Sequence, residues 1–248
     1  MAAFTAFSDL LPDPNNSIGV AGQTGGSAGP GFKSIQVSSE QPIVSNRTNS
    51  GRYLARALST QRFDLRITYN ELTREQFEPV HNFLLQKQGG LLPFFVSLPQ
   101  NISSRNANFA TFSSTNAASP VVTAATDIPA GSTSFLVNLA GSWSASSNGT
   151  PMPGDMFTTI TGNSNHTKTY QVVRVETNAD YLTGSTQPST SQLRLHVVPG
   201  IQKLILSGTS SKFQFHSPKM KVIVKSKQEY SLGVNNLYRF SLSLEEVQ

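Results

Sequence analysis

Apolar and polar residues alternate strictly between Arg62 and Tyr69: Phe63, Leu65, Ile67 and Tyr69 fall on one side, Arg62, Asp64, Arg66 and Thr68 on the other. A period of two over this length predicts a strand with one buried and one polar face, as in an antiparallel sheet. Ile35 and Val37 alternate with Ser34 and Gln36 in the same way, and Phe94, Val96 and Leu98 predict a further strand that stops at Pro99. The style returns near the end of the chain. Met220, Val222 and Val224 alternate with Lys219, Lys221 and Lys225, and Tyr238, Phe240, Leu242 and Leu244 with Arg239, Ser241 and Ser243. The turn-forming run Gly233-Val234-Asn235-Asn236 separates these two segments.

The period changes after Tyr69. Thr73 with Gln76 three residues on forms a capping box, Leu72 and Phe77 stand at the hydrophobic-staple positions, and Phe77, Val80 and Leu84 keep helical spacing. This predicts a helix facing the sheet, with Gly89 and Gly90 as its left-handed stop. Pro79 withholds the N–H that the Glu75 carbonyl would accept, so a kink or a helix regular only beyond Pro79 is expected.

Two stretches break the pattern. Residues 1–31 carry only Asp9 and Asp13 as charges, and six glycines lie between Gly19 and Gly31. They predict an extended arm, with Phe4, Phe7, Leu10 and Leu11 as apolar anchors. Residues 41–51, with Pro42, Asn46, Asn49 and Gly51, predict a turn-rich connection. Between 101 and 165 only Arg105, Asp127 and Asp155 are charged, and Ser, Thr, Asn, Ala and Gly dominate. Short strands are predicted at Phe135–Leu139, Met156–Ile160, Tyr170–Val175, Leu193–Val198, Ile201–Leu206 and Lys212–Phe215. The fold class expected is therefore mainly β (α+β). Residues 32–100 and 217–248 form one antiparallel sheet with one packed helix, and residues 101–216 are an inserted all-β sandwich or small barrel.

Composition narrows the chemistry. The 248 residues include no cysteine, which removes disulfides and thiolate chemistry. Charged residues are 13% of the chain, a low share that repels copies of itself weakly. The net charge of +5 is spread without long like-charge runs, and no nucleic-acid reading module is present. Met1–Leu11 has no apolar run able to span a bilayer.

His81, His166, His196 and His216 stand alone, without metal-ligand spacing. No nucleophile elbow or phosphate loop occurs, and Asp127 and Asp155 are the only carboxylates of the insertion before residue 176. A non-enzymatic protein without cofactor or metal is expected. Trp143, within Gly141-Ser142-Trp143-Ser144, and Tyr181 are candidate stacking platforms for a glycan. The alternative is that Trp143 plugs the insertion's own core.

The segment from Gln61 to Phe77, in which Tyr69-Asn70-Glu71 leads into Leu72-Thr73-Arg74 and Phe77, resembles tailed-bacteriophage tail proteins. So do Gln88-Gly89-Gly90 followed by Leu92-Pro93-Phe94-Phe95-Val96, and the closing Tyr238-Arg239-Phe240-Ser241-Leu242. Pro153-Gly154-Asp155-Met156-Phe157 followed by Tyr170-Gln171-Val172 is similar to the inserted β domain of such proteins.

The resemblance to the distal tail and baseplate hub family implies a tail-tube-like fold and a virion protein made in the bacterial host cytoplasm. Its expected partners are copies of itself in a hexameric ring, the tail tube protein, and baseplate hub or tail fibre proteins. DNA would pass through non-specifically, and no membrane is involved. Arg47, Arg52, Arg62, Arg66 and Arg239 are the expected contacts at subunit seams. Stretches 1–31 and 41–58 would wrap a neighbour as irregular chain. A glycan-binding module acting in host adsorption is the alternative.

Overall fold

The computed structural model describes residues 9–13, 17–18, 24–57, 61–117, 120–139, 143–161, 167–182, 184, 186–225 and 229–247. In chain order its first elements are β1 (Ser17–Ile18), β2 (Thr24–Ala28), β3 (Phe32–Glu40), β4 (Ile43–Arg47), β5 (Tyr53–Ala57), β6 (Arg62–Tyr69), α1 (Arg74–Gln86) and β7 (Phe94–Ser97). Next come α2 (Ala107–Thr115), β8 (Val122–Ala124), β9 (Ser134–Leu139), α3 (Ala145–Asn148), β10 (Met156–Thr161), β11 (Thr169–Glu176), β12 (Gln192–Val198) and β13 (Gly208–Gln214). The chain closes with β14 (Lys219–Val224), β15 (Tyr230–Leu232) and β16 (Tyr238–Glu246). The fold is mainly β, and it divides into two compact units, Met1–Ser97 with Lys221–Val247 and Leu98–Met220.

The first unit is a sheet in the order β3-β6-β16-β14-β7, so strands from both ends of the chain lie side by side. β6 shows the predicted alternation, with Phe63, Leu65, Ile67 and Tyr69 buried. Phe240, Leu242 and Leu244 of β16 and Val222 and Val224 of β14 continue that apolar face. Phe77, Val80, Phe83 and Leu84 of α1 are buried too, as the amphipathic stripe requires. Each such side chain contributes about 1.5–3 kcal/mol by leaving water.

α1 is helical from Arg74 and runs through Pro79, so it does not wait for the proline to become regular. The Thr73 N–H donates to Gln76 Oε1 at 3.2 Å and anchors the first turn. The stop is set one residue earlier than expected: Gln88 (φ 51°) and Gly89 (φ 70°) take the left-handed conformation. Gly90 serves a different need, because a Cβ there would stand 2.8 Å from the Val224 carbonyl oxygen.

Part of the expected N-terminal arm belongs to this unit. Leu10 forms a parallel bridge with Phe95, and Leu11 is fully buried. The Leu11 N–H donates to the Phe95 carbonyl at 2.8 Å, which covers the β7 edge of the sheet. Phe4 and Phe7 lie outside the described residues.

The second unit is a closed antiparallel barrel whose neighbours run β10-β11-β12-β9-β8-β13 and back to β10. Closure leaves no edge for stray pairing. Inward residues alternate with outward ones on β9 and β12. Phe135, Val137, Phe157, Tyr170, Leu195 and Phe213 are among those that fill the interior.

The unit is not all-β. α2 starts at Asn106, whose Oδ1 accepts from the N–H groups of Asn108 and Phe109 at 3.1 and 3.3 Å, and Phe109 is fully buried in the barrel core. Residues 201–206 are not a strand, contrary to the periodic reading. Ile201 and Ile205, four apart, both point into the core, and only Ile205 bridges a neighbour, Ile128.

Candidate functional site

Residues 41–57 are not the turn-rich, irregular chain that their Pro, Asn and Gly content predicts. β4 and β5 form an antiparallel ribbon pairing Ile43 with Ala57, Ser45 with Ala55 and Arg47 with Tyr53. Its turn is closed by the Thr48 N–H on the Arg52 carbonyl (3.0 Å) and the Gly51 N–H on the Thr48 carbonyl (2.8 Å), with Gly51 at φ 80°. A glycine at the left-handed end of a three-residue hairpin loop matches the right-handed strand twist.

Among the described residues the ribbon is uncovered. Every residue from Ile43 to Arg56 is exposed, including Ile43 (57%), Val44 (58%), Tyr53 (56%) and Leu54 (49%). Alternation places Ile43 and Tyr53 on one face and Val44 and Leu54 on the other, so both faces are bare and apolar.

The five expected seam arginines divide into two groups. Arg62 and Arg239 are engaged within the chain. Arg62 contacts Glu40 at 2.9 Å and Glu245 at 2.6 Å, and Arg239 contacts Glu71 at 2.7 Å. The open face of the sheet explains why. Asp64 and Glu245 are direct cross-strand partners on β6 and β16, an arrangement that repels. Lys225 lies between them, 2.7 Å from Asp64 and 3.9 Å from Glu245, and Arg62 adds a second cation.

The hydrogen bond to Glu40 raises the Arg62 pKa, and the one to Asp64 raises that of Lys225. These two groups are consumed locally. Arg47 and Arg52 of the ribbon and Arg66 of β6 are exposed and make no ion pair among the described residues, and neither does Arg56 of the ribbon.

A second exposed patch lies around α1 and the β15–β16 hairpin. Phe77 stacks between His81 (5.0 Å between ring centroids) and Tyr238 (4.4 Å), and Tyr230 packs beside it at 5.0 Å. Phe77 is buried, but Tyr230 is 52% and Leu232 54% exposed. Burial lowers the His81 pKa.

The candidate chemical residues of the insertion have structural partners. Trp143 offers no platform to a sugar. It is 6% exposed within the barrel core cluster, and its Nε1 donates to the Gly149 carbonyl at 3.0 Å. A large ring with one polar atom fills the barrel best when that atom finds an acceptor. Tyr181 is exposed on the loop after β11, without a second aromatic from Trp143.

Asp155 is buried and accepts from Ser104 Oγ, from the Met152 N–H at 2.8 Å and from the Arg105 N–H at 3.3 Å. Asp127 accepts from the Ser207 N–H at 2.7 Å, the bond that chiefly lowers its pKa. The two acids act as separate latches.

Sequence reasoning missed a charged cluster around one carboxylate on β11 and β12. Glu176, fully buried, meets His196 Nε2 at 2.9 Å, with Arg174 and Arg194 each at 3.5 Å. The bulge between Val172 and Arg174 turns these side chains to one side, and a bulge leaves no mark in hydropathy. His81 and His216 are elsewhere, and His166 lies outside the described residues. Among the described residues no group of three or more His, Cys, Asp or Glu converges as a metal site, and no helix is long and apolar enough to cross a membrane.

No family model matches the chain, and no curated protein matches it.

Proposed function

We propose that the chain is a structural virion protein of a bacteriophage tail, a subunit of a ring near six copies at the distal tube or baseplate. The observation that carries this reading is the β4–β5 ribbon, with four large apolar side chains bare on its two faces. A two-stranded ribbon alone is marginally stable in water, and such a surface fits a protein whose working state is an assembly.

The likeness of residues 61–77, 88–96, 153–157 and 238–242 to tail proteins supplies the kind of assembly. In this reading the first unit forms the ring. The closed barrel is a second rigid body that engages baseplate or receptor-binding parts, and the DNA channel is lined without specific contacts. Negative-stain microscopy of the purified protein, alone and with its tail tube protein, tests it. Rings near six subunits are expected. A monodisperse monomer under both conditions overturns the proposal.

A further inference from the structure

Large apolar side chains stand bare at the end of α1 and in the turn after it: Leu85 (58%), Leu91 (70%) and Leu92 (43%). The turn that carries them is held in place. The Gln88 N–H donates to the Leu85 carbonyl at 3.0 Å, the Leu91 N–H to the Gln88 carbonyl at 3.4 Å and the Leu92 N–H to the Lys87 carbonyl at 3.1 Å. Gly90 lies against the Val224 carbonyl, with no room for a Cβ. Single exposed leucines are ordinary, but several displayed by one ordered turn mark a contact surface.

The N-terminal residues enter the fold beside this turn. The Phe95 N–H donates to the Asp9 carbonyl at 2.6 Å, Leu10 pairs with Phe95 in parallel, and Asp9 Oδ1 lies 2.6 Å from Lys87 Nζ. Carried upstream, the register of Leu10 with Phe95 matches Phe7 to Leu92. Pro93 has no N–H to donate, so the ladder ends there, and chain continuing past it is held by side chains alone. Alternation gives Phe7 the same side as Asp9 and Leu11. That side faces α1, because Asp9 meets Lys87 at the helix end and Leu11 is fully buried.

We infer that the Leu85–Leu91–Leu92 surface is the docking site for residues 4–7 of the same chain, with Phe7 against Leu92 and Phe4 against Leu91. The step from Phe7 to Asp9 spans about 7 Å of extended chain, so the surface is within reach of its own copy. Met1–Ser8 contains no charged side chain, so an apolar contact here desolvates no ion. Asp9 is the pivot: its carbonyl holds β7 and its carboxylate holds Lys87, which fixes where the apolar segment starts. The contact lies within one copy and is independent of the proposed ring.

The cysteine-free chain allows single thiol probes. Leu91→Cys is introduced into the full chain with Phe4 and Phe7 intact and into the same chain carrying Phe4→Ser and Phe7→Ser. Maleimide labelling is expected to be about tenfold slower with the phenylalanines in place, because the thiol then reacts only when the segment opens. Ser38→Cys, exposed on β3, should label at one rate in both backgrounds. Circular dichroism controls for folding, and sedimentation confirms the same association state for the chains compared.

A second readout fixes which copy supplies the segment. A chain carrying both Phe7→Cys and Leu92→Cys should form an intrachain disulfide under mild oxidant, seen by intact mass on a non-reducing separation. A mixture of the two single-cysteine chains should give no Phe7→Cys to Leu92→Cys dimer. Equal Leu91→Cys labelling in both backgrounds, with no disulfide in the double-cysteine chain, overturns the inference. A dimer linked through those positions in the mixture gives the surface to a second copy and also overturns it. Neither result bears on whether the chain forms rings.

Discussion

The indole N–H of Trp143 points at the Gly149 carbonyl, 3.0 Å away, and so one aromatic ring ties two points of the β9–β10 connection into the barrel core. A ring used this way is a structural plug. Trp143→Ala is expected to destabilise the barrel by about 3–5 kcal/mol through the cavity it leaves. Trp143→Phe keeps most of the volume and loses the hydrogen bond, for about 1 kcal/mol. Urea denaturation followed by circular dichroism checks both. A Trp143→Ala chain as stable as the parent would place the ring at the surface.

Gly149 has a second constraint. Its φ is 65°, and a Cβ there would stand 2.6 Å from both polar atoms of the Asn106 side chain, which caps α2. Gly149→Ala therefore strains the backbone and displaces the cap together. A loss of about 2 kcal/mol is expected from the two effects. Asn106→Ala removes the cap alone, and combining it with Gly149→Ala should cost less than the sum of the single changes. Strict additivity in that double-mutant cycle would show that the glycine and the cap are independent.

How much of this was legible in the sequence depends on whether a residue's partner is near it in the chain. β6 could be read because Phe63 to Tyr69 meet the core at every second position, and α1 because Thr73 and Gln76 cap it locally. The β4–β5 ribbon could not. With both faces exposed, Ile43-Val44-Ser45-Asn46-Arg47 has no reason to alternate, and its turn residues suggest disorder instead.

α2 was hidden in another way. Its Ser and Thr residues lower helix propensity, yet Thr111, Ser113, Ser114 and Thr115 bond back to carbonyls three or four residues earlier, which satisfies the hydroxyls inside the helix. Asn106 as a cap with Phe109 and Phe112 three apart was the available signal. Arg62 and Arg239 read as seam residues because their carboxylates, Glu245 and Glu71, are distant in sequence and become neighbours only when β16 joins β6.

Glu176 makes the barrel's stability depend on pH. Burial alone would raise its pKa, but the hydrogen bonds from His196 and the Leu182 N–H, with the charges of His196 and Arg174, outweigh burial and lower it. A carboxyl whose folded pKa lies below its unfolded value contributes stability above the unfolded value, near 4.5, and loses it as pH falls through the folded one. The barrel is therefore expected to weaken below about pH 4.5, and Glu176→Gln to flatten that part of the profile. Denaturation midpoints between about pH 3 and pH 6 measure the slope. An unchanged slope in Glu176→Gln would assign the acid transition to other carboxylates.

Leu11 decides how the N-terminal residues belong to the fold. It is fully buried, its N–H bonds to Phe95, and nearby Asp9 lies 2.6 Å from Lys87, whose side chain is 6% exposed. Lys87 also faces the Phe83 ring at 5.1 Å. A loose arm would tolerate any change at Leu11. A segment that finishes the sheet edge would not, because truncation opens a cavity beside β7 and frees backbone groups to pair elsewhere. Leu11→Ala is expected to cost about 2–5 kcal/mol. Asp9→Asn, which leaves the Lys87 ammonium with a weaker acceptor, should cost about 1–2 kcal/mol. Hydrogen exchange separates the two outcomes at the residue concerned. The Leu11 amide should exchange as slowly as the β6 amides in the parent chain, and exchange at the rate of an open chain would return residues 9–13 to the arm.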